Sequence, residues 1–458
     1  MSAYDSASLL IHGGTIIDGL GNPARRADVL LAGERILAVE EDLQSRVAAH
    51  VPCLDAHGLT VMPGLIDAHC HISFDEPSSN DELFFHRREG LAAIIAAANV
   101  GKLLAAGVTG FFDADSLWEI GVDLRDAIEA GIVRGPRMRT GGNALLTSVG
   151  GTAGRLIPDQ GRRGYGVVVN SRDDIVREVR RQIKIGVDWI KVHVTGLTPR
   201  QRVKGEVQVW TLDEMKLVCD TAHELGTPVV GHCRGASSTR DAALAGFDMI
   251  LHATYMDEAA LAAVVDKCVP IVPTFTFQAN LADYGAAVGA SAGIRELFQK
   301  EIAESAVMLK RAYDAGVPLL CGTESGFSIT PYGDWHYREL EVFVNDLGLT
   351  PLEAIKAATS ANAFALGLTG QTGAIENERL ADLIVIDGDV AHDVTLLGDR
   401  ARLRHVILNG ELLSLPAPTP RRDPPGWRAP HYGTQILRRE VIAELNSVAR
   451  NPEGPASP

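Results

Sequence analysis

The middle of the chain alternates short apolar runs with longer segments that carry apolar residues at helical spacing. The helical pattern is clearest at residues 172–185, 211–225 and 296–315. Eight short runs have the length of buried strands, and they lie at residues 65–66, 108–113, 137–141, 188–194, 228–232, 248–252, 269–274 and 317–324. This alternation predicts an α/β fold, either a (β/α)8 TIM barrel or a doubly wound sheet.

Polar side chains at or near the ends of the runs favour the barrel. They are His69, His71, Lys191, His232, His252 and Glu324. The active sites of TIM barrels are built at the carboxyl ends of the strands. We therefore predict that these residues converge on one barrel mouth.

His69 and His71 follow an apolar run with one residue between them. In a β-strand, residues i and i+2 point to the same face, so both imidazoles would leave the strand side by side. Two nitrogens on a rigid element could hold one divalent metal. The spacing alone is a weak signal, because two unrelated polar residues can also end a strand.

Lys191 lies within an otherwise apolar strand-like run, and His193 follows at i+2 on the same face, where we predict that it binds the substrate. A buried lysine is costly unless it is paired, neutralised or modified. Two interpretations stay open for Lys191. Its side chain could extend to solvent at the barrel mouth, or it could be carbamylated by CO2, which creates a carboxylate able to bridge two metals.

His232 and His252 each close a short run, and either one alone would more often be a structural histidine. Their equivalent positions, about one βα unit apart, place them on adjacent strands.

Glu324 closes the eighth run, where it could also cap a helix or form a salt bridge. Imidazole and carboxylate ligands suit Zn, Mn or Co, and a divalent ion lowers the pKa of a bound water while a nearby carboxylate accepts the proton.

Short β-rich runs ending in Gly turns occur near both ends of the chain. They predict a composite β-sandwich domain made of residues 1–60 and 370–415, which flanks a hydrolase barrel at residues 61–369. Residues 416–458 are predicted to form a Pro-rich extension followed by a C-terminal helix.

The 458-residue chain has a formal net charge of -15 and no basic cluster, which argues against nucleic acid and anionic membranes as partners. No apolar stretch is long enough to span a membrane, and the first residues lack the pattern of a signal peptide. The six cysteines are scattered without a Cys-x-x-Cys pair. We expect a cytoplasmic protein with reduced thiols that acts on a small-molecule substrate.

The segment from Pro63 to His71, with Lys191, His232 and His252, resembles the metal-dependent amidohydrolase superfamily over nearly the whole chain to about residue 413. Residues 250–258 and 269–274 resemble the subgroup of imidazolonepropionase-like enzymes and Xaa-Pro dipeptidases (prolidases). The resemblance implies a binuclear site, with His69 and His71 on one metal and His232 and His252 on the other. It further implies a bridging carbamylated Lys191, contact of Tyr255 with the substrate and assembly as a homo-oligomer.

Two positions depart from the family pattern. Glu324 stands where an Asp usually binds metal and transfers the proton, so its carboxylate is displaced by about one bond length. This displacement could favour a single metal. Thr152 stands in a Gly-rich loop where dipeptidase relatives commonly carry a substrate-binding histidine. Arg234 could bind a substrate carboxylate or form a surface salt bridge.

These features together predict an amidohydrolase that cleaves an amide-type C–N bond through a metal-activated hydroxide. The substrate would be an N-acyl amino acid, a dipeptide, or an aryl amide, urea or carbamate. Glu324 would take the proton and return it to the leaving amine. The cofactor is predicted to be one or two divalent ions, with Zn ahead of Mn and Co. The alternative function is hydrolysis of a cyclic amide or deamination of an amino-heterocycle, which would use the same ligands.

Overall fold

The computed structural model describes residues 4, 6–77, 83, 88–151, 157, 159, 164–196, 206–290 and 293–415. The chain divides into two compact units, Met1–Pro418 and Thr419–Pro458, and every described residue belongs to the first. The predicted C-terminal extension and helix, and Thr152, lie outside the described residues.

Two parallel sheets form the centre of the described chain. The first has the order β6-β7-β8, and the second has the order β10-β9-β11-β12-β13-β14. These strands are largely buried because they are rich in apolar residues on both faces, as parallel sheets require. Their bounds are β6 Leu65–Cys70, β7 Val108–Asp113, β8 Arg137–Thr140, β9 Ala144–Leu146, β10 Gly166–Val168, β11 Ile190–His193, β12 Val229–Cys233, β13 Met249–His252 and β14 Ile271–Val272.

Helices follow most of these strands. They are α1 Glu89–Leu104, α2 Ile120–Glu129, α3 Arg172–Ile185, α4 Leu212–His223, α5 Ala236–Ala245, α6 Glu258–Lys267, α7 Phe275–Tyr284, α8 Ile294–Asp314, α9 Arg338–Asn345 and α10 Pro351–Ala357. Local capping fixes several ends: Ser171 accepts a hydrogen bond from Asp174 at the start of α3, and Gly186 ends α3 with φ 96°. Among the described helices, none is long and apolar enough to cross a membrane.

The eighth predicted strand is not a regular strand in the structure. Residues 319–325 lie between β14 and β6, where Leu320 N donates to Ile271 O (2.9 Å) and His71 N donates to Ser325 O (2.8 Å). Only isolated bridges form there, because the backbone of Glu324 turns into the left-handed region (φ 57°) and leaves the extended conformation. Regular pairing in the described chain therefore gives two parallel sheets and not one continuous eight-stranded ring.

Both ends of the chain contribute to a third, mixed sheet. Its path is β17-β16-β15-β5-β1-β2-β3, with β4 paired to β1. The strands are β1 Leu9–Ile16, β2 Arg25–Ala32, β3 Arg35–Glu40, β4 Cys53–Asp55, β5 Thr60–Pro63, β15 Leu383–Ile386, β16 Leu403–Leu408 and β17 Glu411–Leu412. The structure thus joins strands from the two termini, while the predicted sandwich and the domain limits stay predictions.

Two buried polar side chains join β6 to residues 319–325. Asp67 accepts hydrogen bonds from Thr323 N (3.1 Å) and Thr323 Oγ1 (2.6 Å), and it pairs with His336 Nδ1 (2.7 Å). The amide of Asn362 donates to the carbonyls of Ile66 and Cys321 and accepts from Cys321 N (3.1 Å). Because buried polar groups must be paired, these two residues fix the relative position of the two segments.

Replacing Asn362 by Ala should lower the free energy of unfolding by roughly 2–4 kcal/mol, because it leaves buried backbone groups of both segments without partners. Chemical denaturation monitored by circular dichroism measures this change. The matched variant Asn377→Ala, at an exposed position, should unfold like the wild type. An unchanged midpoint for Asn362→Ala would show that the two segments are held together by other contacts.

Candidate metal centre

The strand ends bring the predicted histidines into one buried group. His69 lies on β6, His71 follows its last residue, His232 lies on β12 and His252 ends β13. The ring centroids of His69 and His252 are 5.3 Å apart, and those of His232 and His252 are 4.4 Å apart. All of these side chains are buried. The structure therefore places together the four histidines that the sequence predicted to converge.

His69, His71 and Glu324 offer one ligand atom each within 4.8 Å of one another. His69 Nδ1 lies 2.9 Å from Thr274 Oγ1, which itself donates to Val272 O, so the nitrogen donates and Nε2 keeps its lone pair. Two imidazoles and a carboxylate at this separation form a donor set that suits a divalent transition metal. The extra methylene of Glu324 does not take its carboxylate out of reach of the histidines.

His232 and His252 form the second part of the donor set. His232 Nε2 donates a hydrogen bond to Glu206 Oε2 (3.0 Å), so His232 Nδ1 keeps the lone pair that a metal would use. His252 Nε2 lies 3.0 Å from this Nδ1. Burial would raise the pKa of Glu206, but the charge of His232, their hydrogen bond and Arg234 lower it to about 2. Glu206 thus stays ionised and holds the His232 ring. Two imidazole nitrogens that face each other fit a second metal position.

Lys191 is fully enclosed at the base of the same group. Its side chain is 1% exposed, which excludes the interpretation in which it extends to solvent. Its Nζ lies 3.9 Å from Asp115 Oδ2. Burial lowers the pKa of Lys191, and this effect exceeds the opposing charges of Asp115 and Glu324. A lowered pKa makes the neutral amine, the form that reacts with CO2, easier to reach, so the geometry is compatible with the predicted carbamate.

Asp115 was not predicted from the sequence, yet it contacts three of the predicted residues, His71, Lys191 and His193. Its Oδ1 lies 2.5 Å from His71 Nδ1, and its Oδ2 lies 2.7 Å from His193 Nε2. Burial would raise the pKa of Asp115, but Lys191 and His71 outweigh burial and lower it well below its usual range. Asp115 orients His71 so that Nε2 faces the ligand group. Its place two residues after β7 is a signal that could have identified it.

His193 contacts His232 and Asp115, and it does not line the larger of the two cavities at the site. Its ring stacks on that of His232 with centroids 4.8 Å apart and an interplanar angle of 3°. Burial lowers the pKa of His193 to about 4, so the ring is neutral near pH 7. The substrate-binding role predicted for His193 therefore stays a prediction, and the contacts it makes are those of a positioning residue.

Two cavities that share lining residues lie at the site. A small inner cavity of about 50 Å³ is lined by His69, His71, Asp115, Lys191 and His193, among others. A larger outer cavity of about 510 Å³ has both polar and apolar lining residues, and its larger apolar side chains are Phe277, Leu281, Val288, Phe298, Phe327 and Ile329. His232, Glu324 and Phe327 line both. A substrate in the outer cavity would meet the donor group at Glu324.

The two remaining substrate-binding candidates lie near the outer cavity. Arg234 lines it directly, whereas Tyr255 lines a neighbouring pocket and its hydroxyl donates to Glu301. Arg234 Nη2 lies 2.6 Å from Glu301 Oε2, so Glu301 joins the two candidates. Glu206 and Glu301 were both missed by the sequence analysis.

Comparison with known proteins agrees with this geometry. Residues 60–413 match the Amidohydrolase family, and the chain belongs to that family. It is similar to ochratoxinase from Aspergillus niger, with 27% identity over 450 residues that cover 91% of this chain and 89% of the relative.

Two solved prolidase-like structures are also similar. One is a Xaa-Pro dipeptidase with methionine bound in its active site (27% identity, TM-score 0.76, 88% of this chain and 99% of that chain). The other is a prolidase in complex with N-methylphosphonate-L-proline (25% identity, TM-score 0.77, 89% of this chain and 100% of that chain). The predicted family and its prolidase-like subgroup are therefore confirmed, and the protein is a hydrolase of carbon–nitrogen bonds with a fold of the TIM-barrel type.

Replacing Asp115 by Asn should weaken metal binding by about 10–100-fold, because the neutral amide no longer orients His71 and His193 by charge. Competition with a chromophoric chelator measures the affinity for Zn and Mn directly. Asp266→Asn, a change of the same kind at an exposed position, should bind metal like the wild type. Equal affinities in the two variants would mean that Asp115 does not support the ligands.

Proposed function

We propose that the protein uses a divalent metal to hydrolyse an amide-type C–N bond in a small substrate. The observation that carries this proposal is the convergence of His69, His71 and Glu324 with the facing nitrogens of His232 and His252. This donor group opens into a cavity of about 510 Å³, which is the size of a small-molecule site. A hydrolase of the Amidohydrolase family needs these two elements next to each other.

The five residues that would hold metal are His69, His71, Lys191, His232 and His252, with Glu324 as a sixth candidate. A divalent ion bound there would polarise the scissile carbonyl and lower the pKa of a water. Zn is the first choice for a buried imidazole-rich set, with Mn and Co as alternatives. Thr274, Asp115 and Glu206 would hold the rings of His69, His71 and His232 in place.

Charge balance links the state of Lys191 to the number of metals. As an ammonium, Lys191 offsets the charge of Asp115, and the remaining carboxylate of Glu324 and four neutral histidines suit one divalent ion. As a carbamate, Lys191 adds a negative charge next to those of Asp115 and Glu324, and this extra buried charge favours a second divalent ion. We therefore propose that carbamylation and the second metal occur together.

Glu324 is the group proposed to move the proton. It lies where the two cavities meet, and burial raises its pKa against the opposing charges of His71, His232 and Lys191. A carboxyl group whose pKa is raised is better suited both to accept a proton and to return it near neutral pH, because its pKa lies closer to the working pH. Glu324 would accept a proton from the attacking water and return it to the leaving amine.

The substrate would be an N-acyl amino acid, a dipeptide, or an aryl amide, urea or carbamate. Ochratoxinase and the prolidase-like structures support the first two classes by similarity. The aromatic and aliphatic lining of the outer cavity supports an apolar or aryl group next to the scissile bond. We further propose a (β/α)8 barrel whose eight strands are β6, β7, β8, β11, β12, β13, β14 and residues 319–325, with β9 and β10 as additional strands and the donor group at the strand ends.

Lys191→Ala should lower the metal content of the purified protein, and added bicarbonate should not restore it. Elemental analysis gives the metal-to-protein ratio, and carbon NMR after exposure to labelled CO2 detects the carbamate. The wild type should show the carbamate signal only in samples with two ions per chain. Lys184→Ala, at an exposed site, serves as the control. A wild-type sample with two ions and no carbamate would contradict the proposal that carbamylation and the second metal occur together.

Glu324→Gln should reduce the rate of amide hydrolysis by about 10²–10⁴-fold, because the amide cannot accept the proton. The assay follows amine release from the metal-loaded protein on a panel of N-acyl amino acids, Xaa-Pro dipeptides and N-acyl aryl amides. Metal content is measured on the same samples, so that loss of metal is not mistaken for loss of the proton acceptor.

Glu376→Gln, a half-exposed surface change, should leave the rate unaltered. A near-normal rate in Glu324→Gln at full metal content would assign the proton transfer to another group. If the wild type cleaved no member of the panel but released ammonia from an amino-heterocycle, the deaminase alternative would replace the proposed function.

A further inference from the structure

Arg234 projects its guanidinium toward the outer cavity, but carboxylates of the protein already surround it. Its Nη2 lies 2.6 Å from Glu301 Oε2, and its Nη1 lies 3.5 Å from Glu206 Oε1. Its Nε is 3.4 Å from Thr254 Oγ1. The side chain is 20% exposed and lines the outer cavity.

Glu301 is held firmly in this position. It lies on the buried face of α8, where the residue as a whole is 8% exposed. Its second oxygen accepts a hydrogen bond from the hydroxyl of Tyr255, and Gln278 Nε2 donates to Oε2 at 3.1 Å. With three partners from three segments of the chain, Glu301 cannot swing away without leaving buried donors unpaired.

Arg234 therefore has no uncompensated charge to offer an anionic ligand. Its one guanidinium already faces the two carboxylates of Glu206 and Glu301. A substrate carboxylate next to Arg234 would be a third anion around this single guanidinium, so the residue would not attract it.

The rest of the outer cavity fits an uncharged ligand. Among the described residues that line it, the charged ones are Glu206, Arg234 and Glu324. Phe277, Phe298 and Phe327 supply aromatic surface, to which Leu281, Val288 and Ile329 add aliphatic surface. Such a lining gains free energy by removing apolar groups from water.

We propose that the outer cavity selects an uncharged, apolar leaving or acyl group and discriminates against a terminal carboxylate, with Glu301 as the residue that sets this preference through Arg234. This inference rests on the proposed amide hydrolysis and narrows its substrate class to neutral aryl or alkyl amides, ureas and carbamates. It separates this chain from its relatives whose bound ligands, methionine and a proline derivative, are amino acids or their analogues.

The test compares two substrates that differ only in the terminal group, N-benzoyl-L-phenylalanine and N-benzoyl-L-phenylalaninamide. The metal-loaded wild type should cleave the benzoyl–nitrogen bond of N-benzoyl-L-phenylalaninamide with a kcat/KM at least about tenfold higher than that for N-benzoyl-L-phenylalanine, mainly through a lower KM. Calorimetric binding of the two products, L-phenylalanine and L-phenylalaninamide, gives a second measurement that does not depend on turnover. A preference for the carboxylate in both measurements would overturn the proposal.

Glu301→Gln should free Arg234 while keeping the shape of the side chain. For N-benzoyl-L-phenylalanine, the variant should gain at least about tenfold in kcat/KM through a lower KM, while kcat changes by no more than about twofold. For N-benzoyl-L-phenylalaninamide, kcat/KM should also change by no more than about twofold. Glu296→Gln, at an exposed position on the same helix, should change neither substrate. An equal loss on both substrates would show that Glu301 has only a structural role.

The outcomes separate this inference from the proposed function. If the wild type hydrolyses neither substrate, amide hydrolysis of this kind fails, and the binding of the two products still tests the charge preference of the cavity. The comparison of the two substrates on the wild type requires no variant. The proposal can therefore still be contradicted if the Glu301→Gln protein does not fold.

Discussion

The carboxylate of Asp67 is the interaction on which the position of the centre depends. It accepts hydrogen bonds from the backbone of His69 (3.0 Å) and from Thr323 (2.6 Å to Oγ1), and it pairs with His336. It thereby joins the strand that carries the two histidines to the segment that carries Glu324. Burial by itself raises the pKa of Asp67, but His336 and the hydrogen bonds lower it, so the group stays charged and strongly bonded. Together with the backbone hydrogen bonds between the two segments, this link presents ligand atoms that are far apart in sequence to one another.

Much of the centre was predictable because position at a strand end is a local property of the sequence. Apolar runs of strand length that end in His69, His71, His232 and His252 are enough to place these side chains at one edge of the parallel sheets. The eighth run was misjudged, since apolar character cannot show that the backbone of Glu324 leaves the extended region. Isolated bridges replace a strand there.

The supporting carboxylates were harder to predict because their partners lie far away in the chain. Glu206 and Glu301 acquire their roles only when folding brings them to His232 and Arg234. Glu301 left a trace that was overlooked. It shares the face of helix α8 with Ser305, Leu309 and Ala312, and an acidic residue on the buried face of an amphipathic helix requires a partner. Thr152 lies outside the described residues and its role stays a prediction.

Two features of Glu324 act together, namely its left-handed backbone and the extra methylene it carries relative to the usual Asp. A non-glycine residue with φ 57° stores strain, and such strain persists only where surrounding contacts impose it. Here Glu324 N donates to His69 O at 2.6 Å, and Thr330 Oγ1 donates to Glu324 O at 2.8 Å. The turned backbone and the extra methylene together leave the carboxylate within 4.8 Å of the ligand atoms of His69 and His71. The longer side chain is therefore best understood jointly with the turned backbone, as one arrangement that keeps an acidic group at the entrance to the centre.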